Sequence, residues 1–183
     1  MRRTSAETKA IILAAARERF AADGYDRATI RAIAADAHID PAMVMRYFGS
    51  KERLFAAACE FDLKLPDTRG MPRDEIAATL ARHFLERWES GETLQILLRT
   101  GVTNPAAAER LREIFAAQLL PLVTELSQDA AQAPARAGLV SSQMLGMALC
   151  RYVLTFPPLA AMTREEVVRA IGPTIHRYLV SKL

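Results

Sequence analysis

The sequence is poor in cysteine and in strand-forming patterns. Its 183 residues include two cysteines, Cys59 and Cys150, which lie far apart, belong to no CxxC motif and have no nearby histidine. A disulfide framework or a zinc site is therefore not expected, and this cysteine usage fits a reducing compartment. Because no alternation of apolar and polar residues persists along the chain, strands are not expected either.

The chain also lacks a long apolar run and a catalytic motif. The apolar stretch at residues 10–16 is interrupted by Arg17-Glu18-Arg19, and no later run approaches the roughly 18 residues of a membrane span. We find no Cys-His pair, paired-carboxylate motif, phosphate loop or metal-ligand spacing, and His83 and His176 have no ligand partner nearby. These absences predict a cytoplasmic protein that is not an enzyme and that uses no cofactor, metal or membrane.

The charge that is present is unevenly distributed. The net charge is +3, in a composition of 51% apolar and 25% charged residues that is typical of a globular protein. Up to Arg53 there are ten Lys and Arg against seven Asp and Glu, whereas the rest of the chain balances at fourteen of each. The excess in the N-terminal quarter favours a polyanionic partner there.

Helix-start and helix-stop signals recur along the chain. Thr4-x-x-Glu7 and Thr163-x-x-Glu166 are capping boxes, and Gly24 is typical of a helix end. The stretch at residues 66–72 has the Pro and Gly content of a linker, which divides the chain into domains 1–64 and 65–183. We predict an all-α protein of about nine helices, at residues 4–22, 29–36, 41–47, 51–63, 74–89, 92–101, 105–126, 136–155 and 163–182.

The helix predicted at residues 41–47 is too short to be stable alone. It lies in the segment HIDPAMVMRYFGSKERL, where Asp40 is a cap, Pro41 suits the first helical position, and Ile39 and Val44 have the spacing of a hydrophobic staple. Isolated helices become marginal below about 12 to 15 residues. A tight connection joins it to helix 29–36, which makes a helix-turn-helix whose second helix is held by its neighbours and is free to enter a DNA major groove.

The residues of this segment carry a family resemblance. The run from Thr29 to Leu54, with its Tyr-Phe-x-Ser-Lys-Glu close, resembles the DNA-binding domain of the tetracycline-repressor (TetR) family, and Gly24-Tyr25 precedes it as in that family. The resemblance spans residues 7–60. It implies an all-helical homodimer whose N-terminal three-helix domain binds a palindromic double-stranded DNA operator and whose C-terminal domain dimerises and binds a small-molecule effector.

The resemblance also implies which residues contact DNA. Thr29 matches a position that caps the second helix and contacts phosphate, and Tyr47 and Lys51 match positions that grip the DNA backbone. Pro41–Tyr47 matches the recognition helix. A hydroxyl, a cation and helix N-termini are suited to phosphate.

Other residues of the motif are candidates by their chemistry. Arg46 suits either a bidentate contact to guanine or a phosphate contact, and Arg31 on the preceding helix suits the same roles. Ala42 and Met43 project near the groove in this register, where a thymine methyl group is a suitable contact, although Met43 equally suits local packing. The predicted DNA-binding residues are Thr29, Arg31, Pro41, Ala42, Met43, Arg46, Tyr47 and Lys51.

Three residues depart from the family pattern. His38 replaces the usual glycine of the turn, Met45 stands where tyrosine is common, and Arg19 replaces a usual leucine, at a position that we place at the domain junction. Histidine tolerates a positive φ better than most residues, so the turn is expected to survive with some strain.

The C-terminal part offers candidates for an effector pocket and a dimer interface. Large and adaptable apolar side chains dominate ligand cavities, but the same side chains at helical spacing also suit a plain core. The candidate pocket residues are Phe84, Trp88, Met144, Met147, Cys150, Arg151 and Tyr152. Two amphipathic stripes on the last helices suit a four-helix interface, with candidates Leu139, Gln143, Leu154, Val168, Ile171, Ile175 and Tyr178.

Two classes of function remain open from the sequence. The first is a homodimeric DNA-binding regulator, a repressor in its simplest form, that a small-molecule effector tunes or releases. The alternative is a helical enzyme or small-molecule carrier that keeps a vestigial helix-turn-helix domain. Binding to DNA with strong salt dependence distinguishes the first from the second.

Overall fold

The computed structural model describes residues 4–91 and 93–181. Within that part of the chain every regular element is helical and none is a strand. Two predicted helix bounds, at residues 92 and 182, lie outside the described residues. The helices are α1 Ser5–Arg27, α2 Ile30–Asp36, α3 Pro41–Phe48, α4 Lys51–Ala58, α5 Arg73–Glu89, α6 Thr93–Gly101, α7 Pro105–Ile114, α8 Leu120–Leu126, α9 Ala133–Ala148, α10 Pro157–Ala161 and α11 Arg164–Val180.

The predicted helix-start signals are present as hydrogen bonds. Thr4 and Thr163 each accept a hydrogen bond from the backbone of the glutamate three residues later, and each glutamate accepts one from the threonine's backbone. At Gly24, where a helix end is predicted, φ is +75° and α1 is kinked. Short π-helical segments, Phe115–Leu119 and Leu149–Val153, join α7 to α8 and extend α9.

The prediction of a helix through residue 63 is wrong, because α4 ends at Ala58. The backbone of Leu63 bonds to side chains far along the chain: its N–H donates to Gln118 Oε1 at 2.6 Å, and its carbonyl oxygen lies 2.8 Å from His83 Nε2. These tertiary bonds replace the helical ones that the local sequence favours. We name residues 62–72, which lead irregularly into α5, the strap.

The described residues form two compact units. The first contains those within Met1–Phe61 and Glu92–Leu111, and the second those within Asp62–Gly91 and Arg112–Leu183. Along the chain, the first unit is followed by the second at Asp62, near the predicted boundary at residue 64. The grouping of residues 92–111 with the N-terminal unit has no counterpart in the sequence prediction.

The N-terminal unit is built on α1. Helices α2, α4 and α6 pack against it, and α3 packs against α2 and α4. Its core centres on an aromatic cluster in which the Phe55 ring lies edge-on at 5.0 Å from both Phe20 and Tyr25. Leu54, Phe55, Ile33 and Val44 are essentially inaccessible to solvent. The two short helices α2 and α3 are therefore held by tertiary packing.

The second unit is a layered helical bundle. Helix α11 packs against α5 and α9, and α9 packs in turn against α8. Its core includes Trp88, Leu85, Ile175 and Leu179, each of them at most 2% exposed. No described helix combines the length and apolarity needed to cross a bilayer.

Candidate functional site

The turn between α2 and α3 forms with a histidine in a left-handed conformation. His38 has φ +53°, its N–H donates to Ala35 O, and the N–H of Ile39 donates to Ala34 O at 2.9 Å. The expected strained turn is confirmed. A non-glycine residue in this region costs about 1 kcal/mol, which the two closing hydrogen bonds and the burial of neighbouring Ala37 offset.

Helix α3 is held at both ends and along one side. Asp40 Oδ1 accepts a hydrogen bond from Ala42 N at 2.7 Å, which confirms the predicted cap, and Pro41 occupies the first turn. Val44 is fully buried, and Gly49 ends the helix with φ +79°. These contacts explain how eight residues remain helical.

The opposite side of α3 is open to solvent. Ala42 and Arg46 are exposed, Met45 is 42% exposed, and Met43 is half-buried. A short helix with one buried and one open side has the shape that fits into a DNA major groove. We define this open side, Ala42, Met43, Met45 and Arg46, as the reading face.

Thr29 and Arg31 stand at the start of α2. The Thr29 hydroxyl oxygen accepts from Ala32 N at 3.1 Å, so its own hydrogen stays available as a donor. Both side chains are exposed. The threonine thus joins a helix cap and a free O–H donor in one position, a combination suited to phosphate.

Lys51 is oriented by residues that the sequence did not single out. Its ammonium donates to Asp26 O at 3.2 Å and lies 4.4 Å from the centre of the Tyr25 ring. The Tyr25 hydroxyl in turn donates to Glu52 Oε1 at 3.0 Å; burial, with this hydrogen bond, raises the pKa of Tyr25 to about 12. Contacts within the protein therefore hold the Lys51 ammonium in place in the absence of any bound ligand.

Tyr47 lies within a group of cationic and hydroxyl side chains. Lys9 Nζ and the Arg46 guanidinium lie 5.8 Å and 5.7 Å from its ring centre. Hydrogen bonding to Ser5, with smaller effects from Arg46 and Thr8, holds the pKa of Tyr47 below its ordinary value. No sequence signal connects Ser5 or Lys9 with Tyr47, because they lie on different helices.

Arg19 joins α2 to α1 through hydrogen bonds to two aspartates. Its Nε and Nη2 donate to the two carboxylate oxygens of Asp36 at 2.8 and 2.6 Å, and its Nη1 donates to Asp23. The guanidinium holds the pKa of Asp36 below its usual range. This ion pair is therefore present above the ordinary carboxyl pKa and is lost as the pH falls through the lowered one.

The second unit contains a small cavity of about 30 Å³. Its surface is apolar and is formed mainly by aliphatic side chains of α5, the first π-helical segment, α9 and the strap, with His83 and Arg87 beside it. The aliphatic residues are Leu63, Leu65, Leu80, Leu119, Val140 and Met144, and the aromatic ones are Phe84 and Phe115.

The predicted pocket residues divide between this cavity and other places. Phe84 and Met144 line the cavity, and Trp88 lies against Phe84 with ring centres 5.4 Å apart and ring planes tilted by 31°. Met147 is buried without reaching it. The remaining three also lie outside its lining: Cys150 is half-buried and in no disulfide, Arg151 donates to Leu159 O, and Tyr152 donates to Glu89.

Sequence reasoning missed the strap as a wall of the cavity. Leu63 is 5% exposed, and both polar groups of its backbone are bonded, to Gln118 and His83. Because a carbonyl oxygen only accepts, His83 Nε2 carries the hydrogen of that bond. Arg87 Nη2 donates to the preceding carbonyl, Asp62 O, at 2.9 Å. An apolar residue in a predicted helix gives no sign of this role.

The predicted interface residues divide by exposure. Val168 and Ile175 are 3% and 0% exposed, because they pack inside this chain, so the interface prediction is corrected at these two positions. The others keep surface that a partner can cover: Leu154 is half exposed, and Leu139, Gln143, Ile171 and Tyr178 are half-buried.

Comparison with known proteins covers both parts of the chain. The model of bacterial regulatory proteins of the tetR family matches residues 12–58, and the model of the tetracyclin repressor-like C-terminal domain matches residues 74–179. No curated protein matches significantly.

Solved structures agree with these matches. A TetR-family regulator from Streptomyces coelicolor A3 is 27% identical, with 97% of each chain covered and a TM-score of 0.67. The fatty acid degradation regulator FadR from Bacillus halodurans is 14% identical, with 98% of this chain and 97% of that chain covered and a TM-score of 0.70. GusR from Salmonella enterica is 17% identical, with 96% and 98% covered and a TM-score of 0.70. The two family models and the helix-turn-helix geometry together place this chain in the TetR family of DNA-binding transcriptional regulators.

Proposed function

We propose that the protein is a homodimeric repressor that acts in the cytoplasm and that a small-molecule effector releases from its operator. The observation that carries the proposal is the reading face of α3, which is open to solvent while Val44 on the opposite side is fully buried. The helix is held from behind and offers its free side chains to a groove.

The proposed DNA contacts fall into two groups. Arg46, Ala42 and Met43 of the reading face approach base edges in the major groove, with Pro41 at the helix start. Phosphates are bound at the edges of this surface by the side chains of Thr29, Arg31, Tyr47 and Lys51.

The proposed dimer interface is on the second unit. The contributing residues are those of α9, α11 and their neighbourhood that keep exposed surface, and Phe156, which is 50% exposed like Leu154, extends it. Two-fold symmetry would present two reading faces to a palindrome. An effector lowers DNA affinity only if it binds better to the state whose reading faces no longer match the two half-sites.

Selection of binding sites from random duplexes tests this function. We expect enrichment of a palindrome whose half-sites lie about one helical turn apart, bound by two protomers. Enrichment of an asymmetric site by one protomer would contradict the homodimer, and failure to enrich any duplex would contradict DNA reading by α3.

Replacement of the positioned lysine tests the phosphate contacts on that operator. Lys51→Ala should weaken binding to operator and to unrelated duplexes alike, and it should flatten the plot of log K against log salt by about one unit for each lysine engaged. Arg73→Ala removes a positive charge from the exposed start of α5 and is the matched control. An unchanged slope in Lys51→Ala would remove this residue from the phosphate contacts.

The capping hydrogen bond of Asp40 and its negative charge have effects that two substitutions can separate. Asp40→Ala removes the acceptor of the 2.7 Å bond from Ala42 N and should destabilise the helix by about 0.5 to 2 kcal/mol. Asp40→Ser keeps a cap and removes a negative charge that repels phosphate, so it should bind DNA at least as well as wild type. Amide exchange of residues 41–47 and operator affinity measure the two effects. If Asp40→Ala exchanges like wild type, the cap does not order this helix.

A further inference from the structure

We propose that the cavity beside the strap takes an apolar carboxylic acid, which displaces Leu63 and binds through its carboxylate to His83 and Arg87. This assignment rests on the effector-tuned function proposed above and names the chemistry of the effector. It follows from the size of the cavity, from the wall that can move, and from the two hydrogen bonds that such a movement breaks.

The cavity is too small for an organic ligand while the strap is in place. Its volume is about 30 Å³. Pockets for organic ligands measure roughly 300 to 1,000 Å³. Any effector beyond a few atoms therefore requires one wall to move.

The strap is the wall that moves at the smallest cost. Leu63 and Leu65 are the lining residues outside helical segments, and Lys64 between them has φ +49°. The other walls belong to helices, so their displacement would disturb the packing of the bundle. Movement of Leu63 alone removes a leucine side chain from the cavity edge and breaks its bonds to Gln118 and His83.

Opening the strap breaks two hydrogen bonds that side chains of α5 now donate to it. His83 Nε2–H loses Leu63 O, at 2.8 Å, and Arg87 Nη2–H loses Asp62 O, at 2.9 Å. His83 is half-buried, and the loss of its acceptor is destabilising unless a ligand or water provides another. The two carboxylate oxygens of an acid can replace the two backbone carbonyl oxygens.

The charge of this pair selects among apolar ligands. Arg87 provides the positive charge that a carboxylate needs on leaving water, and charge-assisted hydrogen bonds are about twice as strong as neutral ones. An alcohol of the same length offers a single oxygen without charge, and an ammonium group is repelled by the guanidinium. The apolar lining accepts the hydrocarbon part of all three.

Movement of the strap also has a route to the DNA-binding helices. Residues 59–61 alone separate it from Ala58, the last residue of α4, and α4 begins at Lys51. An acid that binds only the open strap therefore acts on a segment that follows α4 closely along the chain.

The first test uses the wild-type chain without DNA. Trp88 is the single tryptophan, and its ring centre lies 5.4 Å from that of Phe84 in the cavity wall, so its fluorescence reports occupancy. Straight-chain acids of six to twelve carbons are titrated against the alcohols and amines of equal length, below their micelle concentrations. We expect the acids to bind at least tenfold more tightly than the alcohols and the amines not to bind. Equal binding of acid and alcohol, binding of the amine, or no binding of any acid would each overturn the proposal.

Two variants distinguish the loss of a carboxylate donor from the loss of a hydrogen bond that keeps Leu63 in place. His83→Phe removes a carboxylate donor and also frees Leu63 O, so acid binding should fall about tenfold while alcohol binding stays equal or improves. Gln118→Leu frees the Leu63 N–H and keeps both proposed carboxylate donors, so acid and alcohol should both bind more tightly. Parallel changes of acid and alcohol in His83→Phe would contradict the assigned donor. Circular dichroism checks the folding of both variants, and the wild-type comparison stands without them.

The outcome is separable from that of the proposed function. These titrations contain no DNA, so loss of operator binding in the selection experiment leaves them unaffected. Conversely, if the protein binds its operator but shows no preference for acids over alcohols, the proposed DNA-binding function stands and the carboxylic-acid site is contradicted.

Discussion

Ile175→Glu is expected to unfold the second unit, with a loss of at least about 3 kcal/mol in the free energy of unfolding. Ile175 is 0% exposed and lies in the core to which α11 contributes. The substitution removes its apolar contacts and leaves a carboxylate without a compensating partner in a buried position. Thermal and urea denaturation followed by circular dichroism measure the loss.

Ile171→Glu is the matched control, one helical turn earlier on α11. Ile171 is half-buried, so its carboxylate can reach water and the fold should survive. Because this residue belongs to the proposed interface, sedimentation should show monomers where the wild type is dimeric. If Ile175→Glu instead stays folded and merely dissociates, the residue faces a partner and its packing within the chain is less important than its burial indicates.

Arg46→Glu is expected to reduce operator affinity by at least about 100-fold without changing stability. A single DNA contact contributes roughly 1 to 3 kcal/mol, the proposed dimer carries two copies, and the new carboxylate is repelled by phosphate. Arg46 is exposed on the reading face, so the fold should tolerate the change. Fluorescence anisotropy with operator and thermal denaturation measure the two quantities.

Arg73→Glu gives the same change in net charge at a position far along the chain from the reading face. Arg73 is exposed at the start of α5, where a negative charge is compatible with the helix dipole. Its operator affinity should change by less than about threefold, as expected for long-range screened charge. Similar losses in both variants would show that net charge, and not the reading face, controls DNA affinity.

The helix-turn-helix could be predicted closely because its determinants are local. Thr29, Asp40 and Ser50 each cap the helix that follows, through bonds to backbone groups two or three residues away. Such bonds depend on residue type and spacing, which the sequence displays. The turn at His38 was predictable for the same reason, since its φ is a property of four or five neighbouring residues.

The end of α4 could not be predicted because its determinants are distant. Helical periodicity continues to residue 63, but Leu63 bonds to Gln118, 55 positions later, and to His83, 20 positions later. The clamp of Arg19 on Asp36 and the placement of Lys51 on Tyr25 depend likewise on contacts between helices. Periodicity identifies which face of a helix is apolar but not which helix covers it.

By itself the sequence determined the helical class, the caps and the short α3, because these follow from residue type at short spacing. It indicated the family through the resemblance of the run from Thr29 to Leu54. Tertiary structure alone decided which apolar residues are core and which stay available. Ile175 and Ile171 share one amphipathic stripe, yet one is buried within the chain and the other keeps exposed surface. The same holds at the cavity, where Phe84 and Met144 line the space and Met147 does not. Burial depends on which elements pack together, and that packing is set by the sum of contacts over the whole unit.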